Sequence, residues 1–160
     1  MKVNLRKITL DDTYKIVNWR NQDFVLENFI DRRLISIESH NKYFEKRIIS
    51  GLVDQFIIVC DGKDIGTTFL RDIDYVKKQA EFGNFIGEKE YLSKGIGTIA
   101  CSLILEYGFN ILGLEKIFLR VLKNNTRAQK SYLKSGFIID DSIGNEEEKT
   151  NELFMSKRRF

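Results

Sequence analysis

Gly95 and Gly97 open the stretch YLSKGIGTIACSLILEYGFNIL, Tyr91 to Leu112. Glycine reaches backbone conformations that other residues avoid, so this pair makes a tight turn. Apolar side chains follow at Ile96, Ile99, Ala100, Leu103, Ile104, Tyr107 and Ile111, the period of a helix with one buried stripe. A glycine turn running straight into a helix leaves the first N–H groups without intrahelical partners, at the positive end of the helix dipole. That arrangement can seat a phosphate or pyrophosphate; it is also the form of an ordinary helix-starting turn. Other side chains carry chemistry as well. Glu81 stands inside an otherwise apolar strand, QAEFGNFI. Tyr132 joins an apolar ring to a hydroxyl that both donates and accepts. Asn125 precedes a short helical stretch, where a capping side chain is expected. His40 is the only histidine and no Cys/His cluster occurs, so no metal site is expected. Cys60 and Cys101 read as small buried hydrophobes of a reducing compartment.

Positioning these residues takes alternating strands and helices. The pattern predicts a first strand over MKVNLRKI and a helix from Thr9, which forms a capping box with Asp12, to Arg20. A short helical or irregular link covers Asn21 to Phe29, and a second helix runs from Ser36 to a stop at Gly51. QFIIVC and DIGTTFLRDI form a hairpin around the turn DGK, followed by the strand Gln79 to Ile86. After the glycine turn and its helix come a strand over Leu114 to Leu122, a short helix stopping at Gly136, a strand over Phe137 to Ile139, an acidic loop over Asp140 to Thr150, and a last strand over Glu152 to Phe160 that closes the sheet edge. The order β-α-α-β-β-β-α-β-α-β-β implies an α/β protein with a mixed central sheet, in a single domain over 1–160. A length of 160 residues suits one core of that size.

With 42% apolar and 31% charged residues, the composition is that of a globular chain. A formal net charge of +3 and the lack of a basic stripe interleaved with aromatics exclude a nucleic-acid partner from the expectation. No apolar run has membrane-spanning length and no signal-peptide layout begins the chain, so the expected setting is cytoplasmic, with no membrane partner.

Taken in order, the Glu81 strand, the loop YLSKGIGT, the helix ending EYGFNILGLEKI and the segment VLKNNTRAQKSYLKSGF resemble the GCN5-related N-acetyltransferases, in the branch of the ribosomal-protein N-terminal, spermidine and amino-sugar enzymes. The core of the resemblance spans roughly residues 55 to 139. It implies an acyl-CoA N-acyltransferase fold: a mixed sheet whose fourth and fifth strands splay apart, with the pantetheine arm in the opening. It also implies acetyl-CoA as cofactor, released as CoA. The family's pyrophosphate loop, Gln/Arg-x-x-Gly-x-Gly/Ala, matches Leu92, Ser93, Lys94, Gly95, Ile96 and Gly97, followed by Thr98; Leu92 departs from the pattern, which places the binding on main-chain N–H groups.

The same resemblance assigns roles. Glu81 takes the proton of the acceptor amine, directly or through water, unless it is a salt-bridged strand residue. A backbone N–H at Phe82 or Gly83 stabilises the oxyanion. Tyr132, in the pattern Asn-x-x-Ala-x-x-x-Tyr, gives a proton to the leaving thiolate or is a core aromatic, and both can hold. Asn125, Arg127 and Lys130 contact the cofactor. The acceptor side falls on Trp19, Arg20, Asn21, Arg32, Arg33, His40 and Tyr43. The WRN start, the His40–Asn41 helix and the DGK hairpin resemble enzymes acting on the 4-amino group of a nucleotide-linked amino-sugar in the pseudaminic acid route. Arg32 and Arg33 would then hold the diphosphate. A peptide N-terminus or a polyamine is the alternative acceptor, and a non-catalytic acyl-CoA-binding module the alternative role. A monomer or homodimer is expected.

Overall fold

The computed structural model describes residues 1–160, and one mixed seven-stranded sheet runs through it. Its elements are β1 (Val3–Lys7), α1 (Thr13–Arg20), α2 (Asp23–Leu26), α3 (Ile37–Tyr43), β2 (Asp54–Cys60), β3 (Lys63–Asp74), β4 (Gln79–Ile86), α4 (Ile96–Glu106), β5 (Lys116–Leu122), α5 (Thr126–Lys134), β6 (Ile138–Ile139) and β7 (Glu152–Arg158). The strands lie in the order β1-β2-β3-β4-β5-β7-β6, all neighbours antiparallel except β4 and β5. The expected capping box of Thr9 and Asp12 is formed, with Thr9 N–H donating to Asp12 Oδ2 at 2.8 Å. The link after α1 contains the short helix α2. The last strand does not close the edge as expected. β7 enters between β5 and β6, because pairing with β5 over seven residues satisfies far more backbone than two-residue β6 offers.

Strand alternation divides the core between two faces of the sheet. On one, Leu70, Ala80, Phe82, Ile117, Leu119 and Met155 meet Cys101, Ile104 and Leu105 of α4. On the other, Ile57 and Val59 meet Ile16 and Trp19 of α1, with Phe44 and Ile48 packed against them. The buried stripe of α4 is displaced from the expected one. Ile96, Ala100, Cys101, Ile104 and Leu105 are buried, whereas Ile99 is 38% and Ile111 72% exposed. The helix ends in a π-helical turn, Tyr107–Ile111, whose wider winding brings Gly108 and Phe109 inward and turns Ile111 to the surface.

The parallel pairing of β4 with β5 is short. It joins Gln79, Ala80 and Glu81 to Lys116, Ile117 and Phe118, and goes no further. Beyond it β4 continues to Ile86 on β3 alone, while β5 continues to Leu122 on β7. The fourth and fifth strands therefore part, as the family resemblance implies.

Gly87 lies just past β4, where a Cβ would stand 2.2 Å from Cγ of the Trp19 ring. Trp19 is 4% exposed and held on several sides, so it has no room to yield. Gly87→Ala is expected to lower stability by about 1–3 kcal/mol through overpacking, read as a reduced urea midpoint at unchanged m-value.

Candidate active site

Glu81 is the last residue of β4 to pair with β5, and it is 7% exposed. Its cross-strand partner on β3 is Arg71, whose Nη2 donates to Glu81 Oε2 at 2.5 Å. Arg120 of β5 donates from Nε to the same oxygen at 3.3 Å. One oxygen is thus clamped by two guanidinium groups, while Oε1 makes no protein hydrogen bond. Beside the clamp, the ladder between β3 and β4 is broken after Arg71 and Asp72 takes a positive φ of 51°, which re-aims the strand next to the parting. Arg120 also reaches Glu148 and Glu152, with Nη1–O separations of 3.5 and 3.8 Å. Sequence reasoning missed Arg71, Arg120, Glu148 and Glu152. Alternation along β3 and β5 would have placed the two arginines on the Glu81 face only once strand register was known.

Phe82 follows Glu81 and points to the opposite face. It is 3% exposed, so its side chain belongs to the core and only its backbone faces the parting. Tyr132 of α5 packs edge-on against Phe82 and Phe137, with centroids 5.9 Å away in each case. Burial pushes the Tyr132 hydroxyl well above the ordinary tyrosine range, so it keeps its proton at neutral pH. Glu81 and the Tyr132 ring therefore lie on opposite faces of the sheet. Gly83 has a packing reason of its own, since a Cβ there would meet the Phe69 ring at 2.5 Å. Cys101 lies beneath this face, its thiol pushed up to about 11 by burial, a small core residue as expected.

The glycine turn leaves backbone donors free at the start of α4. Gly95 caps α4 in the left-handed region, φ +78°, and offers no side chain to the helix start. Ile96, Gly97 and Thr98 N–H find no acceptor in the protein. A Cβ on Gly97 would meet nothing nearer than Asn84 Nδ2 at 3.9 Å. The protein itself could accommodate a side chain there; a ligand lying against the backbone could not. Asn84 Nδ2 donates to Gly97 O at 3.2 Å and ties the turn to the free part of β4. Ser93 takes φ +60° and accepts from Arg127 of α5, and Thr98 Oγ1 bonds Ser131 Oγ at 2.9 Å. Lys94 sits over the Tyr91 ring with its ammonium 5.5 Å from the centroid. Ile96 is buried, so only its N–H serves the turn, and Leu92 is 39% exposed. Asn125 caps α5 by accepting from Ala128 N–H at 3.3 Å, and Lys130 is exposed. These residues fit the pyrophosphate of acetyl-CoA through backbone donors, a lysine and no intruding Cβ.

The acceptor-side residues are brought together only in part. Tyr43 lies close enough to Arg71 and Glu81 to feel their charges, and burial pushes its hydroxyl up. Trp19 is core, its Nε1 near Glu88 Oε1 at 3.4 Å. Asn21 pins the following loop, donating to Ile35 O at 2.8 Å and accepting from Ile35 N at 2.9 Å. Arg20 stacks 3.8 Å over Phe29 and donates to Asp31 O. Arg33 is paired with Asp31 at 2.7 Å, and Arg32 donates to the carbonyls of Glu27 and Phe29. His40 is buried with Nδ1 3.3 Å from Thr13 Oγ1, and burial pulls its pKa down. No group of three or more His, Cys, Asp or Glu is arranged to hold a metal ion. No helix is long and apolar enough to cross a membrane.

Residues 2–138 match the family model described as an acetyltransferase (GNAT) domain. The chain is 30% identical over 144 residues to the spermidine N(1)-acetyltransferase of Escherichia coli K12, covering 90% of this chain and 77% of that protein. It is 28% identical over 141 residues to acetyltransferase PseH of Campylobacter jejuni, covering 86% and 84%. Its fold superposes on spermidine N-acetyltransferase from Vibrio cholerae, solved with CoA and spermine, at a TM-score of 0.87 and 24% identity, over 98% of this chain and 95% of that one. A further structure of the Vibrio enzyme, at a TM-score of 0.80 and 23% identity over 98% of this chain and 94% of that one, is dodecameric. The expectation of a monomer or homodimer is corrected by that assembly: nothing in an isolated sequence marks which surfaces repeat in a closed oligomer.

Gly97→Ala tests whether the turn seats an anion. A helical alanine in open space is expected to leave stability unchanged or raised by up to about 1 kcal/mol. Acetyl-CoA affinity is expected to fall at least about tenfold in calorimetric titration, the equivalent of 1.4 kcal/mol. Unchanged affinity would remove Gly97 from the seat.

Proposed function

From a chain that belongs to the GNAT acetyltransferase family, and is an acetyl-CoA-dependent N-acetyltransferase acting on a primary amine, we propose that the amine is the end of a polyamine of the spermidine class. The observation that carries this reading is the charge on the Glu81 face of the parting. Glu81, Glu148 and Glu152 share two guanidinium groups, Arg71 and Arg120, leaving one carboxylate in excess. That local excess attracts a polycation, although the whole chain is formally +3. Exposed charges farther off than about 8 Å are largely screened at physiological salt, so the nearby carboxylates decide. The named activities of the Escherichia coli and Vibrio cholerae relatives support it.

The nucleotide amino-sugar gives way for a related reason. Arg32 and Arg33, the pair proposed for its diphosphate, are occupied by main-chain carbonyls and by Asp31. An anionic acceptor would also have to approach the carboxylate excess.

In this reading each residue has a definite task. The Ile96, Gly97 and Thr98 N–H groups, with Lys94, hold the pyrophosphate. The free edge of β4 beyond Glu81 offers backbone groups to the amide-rich arm, and N–H at Phe82 or Gly83 supports the carbonyl oxygen as it gains charge. Acetyl-CoA supplies an acetyl thioester, from which the acetyl group passes to the amine nitrogen as the C–S bond breaks and the thiol is released. The amine arrives protonated, and Glu81 Oε1, the oxygen free of arginine, takes that proton directly or through water, while Arg71 and Arg120 hold the carboxylate still. Tyr132 donates its hydroxyl proton to the departing sulfur; the proton lost by nitrogen as the amide forms restores it.

A thiol-release assay with spermidine, a nucleotide-linked amino-sugar and an alanine-initiated peptide tests the acceptor. Spermidine is expected to exceed the other two in kcat/KM by at least about tenfold. A higher value for the sugar or peptide sinks the polyamine reading, and binding of acetyl-CoA without turnover of any amine would point to a non-catalytic module. Tyr132→Phe is expected to keep cofactor affinity and lose about a hundredfold in kcat, the scale of a lost general acid. Normal turnover would leave Tyr132 as a core aromatic.

A further inference from the structure

Glu152 begins β7 opposite Leu122 of β5, on the Glu81 side of the parting, and is 7% exposed. Its only charged partner is Arg120, with Oε1 3.8 Å from Nη1, too far for a hydrogen bond. Its Oε2 is fully buried and has no partner at all. Arg120 is oversubscribed: Nε serves Glu81 at 3.3 Å, and Nη1 lies closer to Glu148, at 3.5 Å, than to Glu152. Glu81 has Arg71 in addition, and Glu148 accepts from Asn145 N–H at 2.9 Å. Glu152 is therefore the member of the cluster with no hydrogen bond on either oxygen. Burial pushes its pKa up against the pull of Arg120, and the nearby Glu148 and Glu81 push the same way as burial. A buried carboxylate left in that condition is costly, and a cation with several N–H donors is what would relieve it.

We propose that Glu152 forms a second ammonium subsite of the acceptor pocket, holding the next charged nitrogen along the polyamine while Glu81 faces the nitrogen being acetylated. This rests on the polyamine reading and extends it to a specificity residue. Glu81 and Glu152 lie against the same guanidinium, Glu81 Oε2 3.3 Å from Nε and Glu152 Oε1 3.8 Å from Nη1, so the two carboxylates are neighbours, which suits nitrogens joined by a short alkyl linker. A monoamine fills the Glu81 position and leaves Glu152 unrelieved; a diamine fills both. Specificity then arises from a buried polar group that the wrong substrate leaves unpaired.

The test compares diaminopropane with propylamine, which present the same reacting end and differ in the second nitrogen. The wild-type enzyme is expected to favour the diamine in kcat/KM by at least about tenfold, chiefly through KM. Glu152→Gln keeps the shape and removes the charge, and is expected to cut that preference about tenfold; Glu152→Asp is expected to keep more of it. Equal use of both amines by wild type overturns the subsite, without need of any variant. So does a full preference retained in Glu152→Gln. The two readings fail separately: if spermidine is not acetylated, the polyamine reading falls first; if it is acetylated but diamine and monoamine serve equally, only the subsite falls.

Discussion

The parallel pairing of β4 and β5 stops at Glu81 and Phe118, and the rest of the site is arranged around that stop. A strand that loses its neighbour exposes a row of N–H and C=O groups that must find other partners. The protein leaves these groups facing a cleft in the middle of its sheet. Several contacts hold the cleft open: the rings of Phe82, Tyr132 and Phe137 fill its base on one face, and Asn84 fixes the free part of β4 to the head of α4. Beyond the parting, each strand remains paired on its other side, β4 with β3 and β5 with β7. The opening is therefore a property of a rigid frame.

Because strand side chains alternate, the two residues at the parting serve different faces. Glu81 turns toward α1, α3 and the acceptor side, where Arg71 and Tyr43 also lie, and Phe82 turns toward the helices that carry Tyr132 and the glycine turn. Side chains from the two faces can meet only at a group that passes between the strands. The arginine clamp adds to this division by immobilising one Glu81 oxygen and leaving the other unbonded. The tight clamp that reads as an ordinary ion pair thus also aims the carboxylate.

The weakly basic character of the whole chain does not extend to the Glu81 face of the parting. Twenty-six basic and twenty-three acidic residues give a small positive balance, spread over a surface where water and salt screen them. Three carboxylates gathered on two guanidinium groups beside the parting have a more local effect, and two of them, Glu81 and Glu152, are nearly excluded from solvent. Arginine pairs in the α2–α3 connection, by contrast, are already satisfied by Asp31 and by carbonyls, which is why two adjacent arginines in a sequence do not amount to an anion site.

Local patterns in the sequence determined most of the elements, the glycine turn at Gly95 and Gly97, the capping roles of Thr9 and Asn125, and Glu81 as a charge inside an apolar strand. Each depends on residues near one another in the chain, so hydrophobic period and cap chemistry suffice to find them. The order of motifs from Glu81 to Tyr132 also carried the family, and with it the parting of the strands. What the sequence left undecided was set by contacts between distant segments. The insertion of β7 between β5 and β6, the displaced stripe of α4, the burial of Trp19 under Gly87 and the gathering of Arg71, Arg120, Glu148 and Glu152 around Glu81 all depend on register and packing. Register decides which face a side chain takes, and a shift of one residue would send Arg71, Arg120 or Glu152 to the other side of the sheet. A linear pattern records the periodicity of a strand, and only the folded sheet decides which strands share a face.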